Sequence, residues 1–142
     1  MTFAYFDTSA LIKRYVREPG SAQVVALLRR HDLLSSAITP VEIMSALGRR
    51  RRDLSQEAFT ATVNRVRSER LHWELIEVGE TVLSRAEEIV QGNVPMRSLD
   101  AVHIASLMAF QSASGIRTPF VTGDGRQRDA AKFLGLDIIW IG

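Results

Sequence analysis

Cysteine is absent from this chain of 142 residues, and lysine occurs only at Lys13 and Lys132. Without cysteine the protein forms neither disulfides nor thiolate metal sites, so any metal ligands must be oxygen or imidazole groups. No apolar run approaches the roughly 20 residues that a membrane-spanning helix needs. Asp7 interrupts the apolar N-terminal run too early for a signal peptide, and we therefore expect a cytoplasmic protein that does not bind a membrane.

The composition is that of an ordinary globular protein. Hydrophobic residues make up 46% of the chain and charged residues 24%. A chain of this length suits one folded unit with a real hydrophobic core, and no linker, internal repeat or low-complexity segment interrupts it. We therefore predict a single domain over residues 1–142.

The positive charge is almost entirely arginine and is unevenly placed. The formal net charge is only +2, but Arg49, Arg50, Arg51 and Arg52 are consecutive. Arginine favours bidentate contact with phosphate or carboxylate groups. Two interpretations remain open for this run: a solvated helix end whose cations complement the helix dipole, or a contact surface for RNA or an acidic peptide.

Strands and helices alternate along the sequence. Apolar or alternating segments predict strands near residues 2–6, 33–38, 73–78, 118–122 and 136–141. The segments between them are helical, and the two helices on either side of the arginine run form a hairpin. Alternation of this kind predicts a parallel sheet with helices on both faces, a three-layer α/β/α sandwich.

The stretch Phe3–Phe6 leads directly into Asp7, which is followed by Thr8 and Ser9. An apolar strand is a poor environment for a carboxylate, so we place Asp7 just beyond the carboxyl end of the first strand. Ligands bind at that edge in open α/β sheets. Aspartate is also a good N-cap, and capping of the next helix is an equally ordinary role for Asp7.

Three further acids are predicted at the same edge. Glu42 and Asp100 lie in first turns of helices, and Asp124 follows the fourth strand between two glycines. Each alone is explained by the helix dipole or by a turn. Four converging carboxylates would repel one another, and a hard divalent cation such as Mg²⁺ or Mn²⁺ is the usual remedy.

Several neighbours of these acids are candidates for supporting roles. Thr8, Ser9 and Thr122 carry hydroxyls that suit hydrogen bonding to a carboxylate or a phosphate, and Asp129 lies one turn beyond Asp124. His103 shares a helical face with Asp100 and is either a metal ligand or a packed histidine. We favour the packed histidine, because zinc-type sites usually need more nitrogen or sulfur ligands.

Four segments carry a family resemblance, and they are Tyr5–Leu11 (YFDTSAL), Thr39–Glu42 (TPVE), Arg97–Ala105 (RSLDAVHIA) and Phe120–Asp124 (FVTGD). The third segment is quite specific, and together they span nearly the whole chain. In this order they resemble PIN-domain ribonucleases, specifically the VapC-type toxins of bacterial and archaeal toxin–antitoxin pairs.

The resemblance implies a five-stranded parallel sheet in the order 3-2-1-4-5. It also implies that Asp7, Glu42, Asp100 and Asp124 hold one or two Mg²⁺ or Mn²⁺ ions for phosphodiester hydrolysis. The implied substrate is RNA, often a tRNA or rRNA loop. The implied partners are a VapB-type antitoxin and a second copy of the chain, as a homodimer.

From the apolar helix faces we expect the antitoxin to occupy a groove lined by Leu11, Ile12, Tyr15 and the Met44–Leu47 face.

Two other classes of function remain as alternatives. One is an acidic-pocket phosphotransfer module, such as a receiver domain or an aspartate-nucleophile phosphatase. Those phosphatases need a second aspartate two residues after the first, where this chain has Ser9, and receivers need a lysine after the last strand. The other alternative is a non-catalytic PIN-like binding protein, which the intact acidic set disfavours.

Overall fold

The computed structural model describes residues 1–142 and contains a five-stranded sheet. The strands are β1 (Thr2–Phe6), β2 (His31–Ser36), β3 (Glu74–Ile76), β4 (Phe120–Thr122) and β5 (Ile138–Trp140). Their order is β3-β2-β1-β4-β5, and every neighbouring pair is parallel. The predicted fold class and strand order are confirmed.

Seven helices connect the strands. They are α1 (Thr8–Leu11), α2 (Ser21–Arg30), α3 (Thr39–Arg49), α4 (Gln56–Glu69), α5 (Glu80–Val90), α6 (Ser98–Ser114) and α7 (Gly125–Phe133). Short 3₁₀ turns lie at Ile12–Arg14, Arg51–Asp53 and Arg70–His72. None of the helices combines the length and the apolar character needed to cross a membrane.

The central strand β1 is buried on both faces. Ala4 and Phe6 belong to one apolar cluster, while Tyr5 between them belongs to the other. This division follows from the strand geometry, in which successive side chains point to opposite faces. The continuous apolar sequence before Asp7 is therefore the signature of a strand with a helical layer on each side.

The two clusters define the two helical layers. The cluster around Phe6 takes its side chains from α1, α2, α3 and α4, and the cluster around Tyr5 takes its side chains from α5, α6 and α7. In α6 every residue from Ala101 to Leu107 is buried. A helix enclosed in this way holds its first turn, including Asp100, in a fixed position against the sheet.

Helices α3 and α4 form the predicted hairpin, and α4 is mostly solvated. Only Val66 of α4 is buried. The helix is fastened at its end by Glu69, which accepts hydrogen bonds from Arg14 at 2.8 and 2.9 Å and from the Tyr15 hydroxyl at 2.7 Å. The hydrogen bonds from Arg14 and Tyr15 lower the pKa of Glu69 to about 2, although partial burial of the carboxylate opposes this shift. Glu69 therefore stays ionised at neutral pH.

Some boundaries differ from the sequence predictions. β4 begins at Phe120 rather than at residue 118. Pro119 has no N–H to donate to the sheet, and the Thr118 N–H donates instead to Gln111 Oε1 at 2.9 Å. The segment between β1 and α2 is not helical throughout, because its α-helical part ends at Leu11 and a 3₁₀ turn follows.

Candidate active site

The site lies at the carboxyl edge of the sheet, where β1 and β4 are neighbours. Asp7 follows β1 directly, and Asp124 follows β4 after Gly123. The connections from these two strands lead to opposite layers, because α1 packs in the Phe6 cluster and α7 in the Tyr5 cluster. A crevice forms at such a point in an open α/β sheet.

Asp7 is only 2% exposed, and both of its carboxylate oxygens accept hydrogen bonds. Oδ1 accepts from the Ser9 hydroxyl at 2.7 Å and from the Ala10 N–H at 2.9 Å, and Oδ2 accepts from Thr122 at 2.6 Å. Burial raises the pKa of Asp7 above its ordinary 3.8, although His103 and these hydrogen bonds oppose the shift. Asp7 therefore caps α1 and also lies in the crevice, so helix capping is compatible with a role in the site.

Glu42 is held by two side chains from other helices. Its Oε1 accepts a hydrogen bond from the Thr8 hydroxyl at 2.6 Å and lies 2.7 Å from His103 Nε2. Burial alone would raise the pKa of Glu42, but His103 and Thr8 together lower it below the ordinary 4.5. Glu42 therefore remains a carboxylate at neutral pH, and its Oε2 is free of protein hydrogen bonds.

His103 lies beneath the site and is 2% exposed. Its Nδ1 lies 2.7 Å from the hydroxyl of Tyr5, which is fully buried. Because an ionised Glu42 can only accept a hydrogen bond, His103 Nε2 is the donor in their contact. The buried chain thus runs from Tyr5 through His103 to Glu42.

Asp100 and Asp124 face the crevice from the two helical N-termini. The Asp100 carboxylate is half-buried and makes no side-chain hydrogen bond. Burial raises the pKa of Asp100 above its ordinary 3.8, and the negative charge of Asp124 raises it further. Asp124 Oδ1 caps α7 by accepting from the N–H groups of Arg126 at 2.9 Å and Gln127 at 3.3 Å. Its Oδ2 has no protein partner.

The structure therefore brings the predicted acids to one edge but does not arrange them as a closed metal cage. No group of three or more acidic or histidine side chains is placed so that it could hold one ion. The donor chemistry nevertheless fits Mg²⁺ or Mn²⁺, because the unused oxygens of Glu42, Asp100 and Asp124 are hard ligands. The negative charges of Asp100 and Asp124 also repel each other, and a cation bound between them would relieve that repulsion.

The supporting residues divide into two groups. Thr8, Ser9 and Thr122 each hydrogen-bond to a carboxylate of the site, Thr8 to Glu42 and the others to Asp7. Asp129 is well exposed and pairs with Arg128 at 2.9 Å, without contacting the four acids. The hydroxyl residues thus orient the acids, whereas Asp129 lies outside the group.

The arginine run at residues 49–52 is exposed at the end of α3 and in the following turn. Part of its hydrogen-bonding capacity is used within the molecule, which the sequence did not indicate. The contacts are those of Arg49 with Ser45, Arg50 with Glu18, and Arg51 with Gln56 and the Phe59 ring. Arg52 makes no such contact.

The predicted lining of an antitoxin groove was wrong in part. Leu11, Ile12 and Leu47 are buried in the core with exposed fractions of 0%, 9% and 0%, so they cannot line an open groove. The helix periodicity identified their apolar face correctly, but the sheet and α2 already cover that face.

Two polar residues of this region were not assigned a role in the site from the sequence. His103 was expected to be packed, and it is, but its bond to Glu42 was not foreseen. The signal was its position three residues after Asp100, which puts both on one helical face. Gln127, 2% exposed and next to the crevice, had no signal in the sequence, because its burial depends on how α7 docks.

Comparison with known proteins identifies the family. Residues 4–133 match the PIN domain family, and the chain therefore belongs to it. Ribonuclease VapC46 of Mycobacterium tuberculosis is 34% identical over 145 residues, with 98% of each protein covered. This chain is thus a PIN-domain protein of the VapC type, as the four sequence segments predicted.

A solved structure shows the same fold. The protein in "Structure of FitAB bound to IR36 DNA fragment" superimposes with a TM-score of 0.70 at 17% sequence identity. The match covers 97% of this chain and 94% of that one. At this identity the likeness concerns the fold alone.

The buried chain beneath Glu42 generates a stability prediction. His103→Leu should lower the free energy of unfolding by about 1–3 kcal/mol, because it removes the hydrogen bond between His103 and the buried Tyr5 hydroxyl. Tyr5→Phe should be destabilising in the wild type but neutral or stabilising in the His103→Leu background. Urea denaturation of the four proteins measures the coupling, and additive effects would contradict the hydrogen bond.

The raised pKa of Asp100 generates a second prediction. A group whose folded pKa lies above its unfolded pKa stabilises the protein at low pH, and that stability is lost as the pH rises through the folded pKa. In buffer without divalent ions, Asp100→Asn should therefore raise Tm at pH 7 and have little effect below about pH 4. Asp53→Asn, at an exposed acid outside the site, is the control. Equal Tm values for wild type and Asp100→Asn at pH 7 would contradict the repulsion.

Proposed function

We propose that this protein is a metal-dependent endoribonuclease and the toxin of a VapBC-type toxin–antitoxin pair. The proposal is supported by the topology, which puts the element ends that carry Asp7, Glu42, Asp100 and Asp124 at the carboxyl edge of the sheet, and by the effect of the Asp124 charge on the pKa of Asp100. The relationship to a VapC ribonuclease over the whole chain supports RNA as the substrate. The acids are assigned as the catalytic and metal-holding residues, with Mg²⁺ or Mn²⁺ as the cofactor.

The four acids have different tasks. Asp100 and Asp124 present oxygens without hydrogen-bond partners, so they would hold the ion most directly. Asp7, fixed through Ser9 and Thr122, contributes the lone pairs that its hydrogen bonds leave unused. Glu42 Oε2, which has no protein hydrogen bond, would orient the attacking water. When bound, the metal ion supplies Lewis acidity that activates water and offsets the charge on the phosphate.

The phosphotransfer alternative fits the geometry poorly. An aspartate-nucleophile phosphatase needs an acid two residues after the first aspartate, and here Ser9 occupies that place and donates its hydroxyl to Asp7. Both oxygens of Asp7 are occupied by internal donors, which lowers their nucleophilicity. Hydrolysis by an activated water needs no protein nucleophile, and it therefore suits this site better.

The substrate is proposed to be single-stranded RNA, such as the loop of a tRNA or rRNA. An accessible loop can bend its backbone into a recessed acidic site, whereas a regular duplex cannot. The exposed arginine run is proposed to contact phosphates along the approach, Arg52 most directly, with Arg49, Arg50 and Arg51 exchanging their internal partners for phosphate. We further propose that the protein functions as a homodimer.

The antitoxin is proposed to cover the site from the α3 side. Val41 is 67% exposed directly beside Glu42, and Met44 is partly exposed one turn further along the same helix. An amphipathic segment lying on this surface would reach the crevice, where an arginine is the best electrostatic match to four carboxylates. Inhibition then combines steric cover with neutralised metal-binding charge.

The carboxylate site is tested by charge-neutral substitutions. Asp7→Asn, Asp100→Asn and Asp124→Asn should each lower the rate of Mg²⁺-dependent RNA cleavage by at least about 100-fold, because one metal-binding charge is lost. Glu42→Gln should act in the same direction and less severely. Asp129→Asn is the matched control and should cleave like the wild type. Wild-type activity of Asp100→Asn at limiting Mg²⁺ would refute the site.

The toxin assignment is tested by co-expression. Expression of the chain alone should arrest growth, and mapping of RNA 5′ ends should show new cleavage sites that Asp7→Asn does not produce. Co-expression with the small protein of the adjacent reading frame should restore growth and yield an inactive complex. Growth arrest that no neighbouring protein relieves would reject the toxin–antitoxin role and leave the nuclease role standing.

A further inference from the structure

A cavity of about 230 Å³ lies beside Asp100, between the start of α6 and the start of α7. Its walls combine cations, an amide and only one apolar side chain apart from proline. They are formed by Pro95, Met96, Arg97, Asp100, Arg126 and Gln127. The cavity therefore adjoins the acidic crevice but has a different chemical character.

Gln127 is the unusual member of this wall. The residue is 2% exposed, and its Oε1 is buried without a hydrogen-bond partner. An unpaired buried acceptor costs about 1–3 kcal/mol, so such atoms are rare unless something else supplies the donor. The backbone of Gln127 is restrained, because its N–H donates to Asp124 and Ala130, one turn further along α7, is in the core. The side-chain carbonyl is thus a buried acceptor that lacks its donor.

The two arginines of the cavity are also without partners. Five arginines of the chain are in ion pairs, as Arg14 is with Glu69 and Arg117 is with Asp137. Arg97 and Arg126 are exposed and form neither an ion pair nor a side-chain hydrogen bond. They line the same cavity as Asp100 but form no ion pair with it. They are available to an anionic ligand that enters the cavity.

We propose that this cavity binds the RNA nucleotide next to the cleaved bond, an inference that rests on the proposed nuclease function. Arg97 and Arg126 pair with the phosphate of that nucleotide. Gln127 Oε1 accepts a hydrogen bond from an N–H group of its base. Gln127 is then a specificity-determining residue, and the arginines set the register of the strand.

The position of the cavity favours this ligand over others. A scissile phosphate that lies beside Asp100 and Asp124 is covalently linked to the next nucleotide, which can therefore enter the adjoining cavity without a separate binding event. Proteins that read single-stranded RNA do so by hydrogen bonds to base edges, with arginines along the backbone. A free phosphate would satisfy the arginines but not the buried carbonyl of Gln127, because it presents no N–H group.

The experiment uses a pool of single-stranded RNA oligonucleotides with a randomised core and Mg²⁺. Sequencing of both cut ends gives the base preference on each side of the cleaved bond. Gln127→Met keeps the side-chain shape but removes the acceptor, and it should reduce the preference at one adjacent base by about tenfold. Arg97→Ala and Arg126→Ala should raise KM and each reduce the salt dependence of binding by about one phosphate contact, with base preference retained.

Arg85→Ala, an arginine of α5 outside the cavity, is the matched control and should match the wild type. Cleavage by Gln127→Met with an unchanged base preference would overturn the subsite and leave the nuclease function intact. If Gln127→Met does not fold, the Arg97→Ala and Arg126→Ala variants test the subsite. Unchanged KM and unchanged salt dependence of binding in both of them would overturn it. A wild type that cuts no RNA in the pool would overturn the nuclease function, and the subsite with it.

Discussion

The buried carboxyl group of Asp7 at the end of an apolar strand is the constraint on which the site depends. Burial of a charge is costly unless hydrogen bonds compensate it, and here Ser9, Ala10 and Thr122 supply them. Two of these donors lie on α1 and the third ends β4, so the carboxylate ties the start of one helix to the neighbouring strand. The remaining acids are arranged around this fixed point.

The acids differ in how firmly the protein holds them. Asp7 and Glu42 are restrained by hydrogen bonds from buried or half-buried donors, and His103 links Glu42 to Tyr5 in the core. Asp100 and Asp124 keep unbonded oxygens and repel each other. This arrangement suits an exchangeable cation. Binding of the cation would relieve the repulsion between Asp100 and Asp124 without moving the restrained Asp7 and Glu42.

The arginines show a corresponding division. Arg14 is held in an ion pair with Glu69 that fastens α4, and Arg117 pairs with Asp137 at the protein surface. Arg52, Arg97 and Arg126 have no such partner. Unpaired arginines on two sides of the acidic crevice suit an RNA strand that crosses it. They attract the phosphates on each side and so offset the repulsion between the RNA and the acids.

The sequence alone determined the parallel α/β architecture and the four acids, because strand periodicity and helix starts are local and place Asp7, Glu42, Asp100 and Asp124 at one edge. The strand order came from the family resemblance. Only the tertiary structure decided that Leu11 and Leu47 are covered, that His103 bonds Glu42, and that Gln127 is buried without a donor. These features depend on how distant segments pack, and no local pattern encodes that packing.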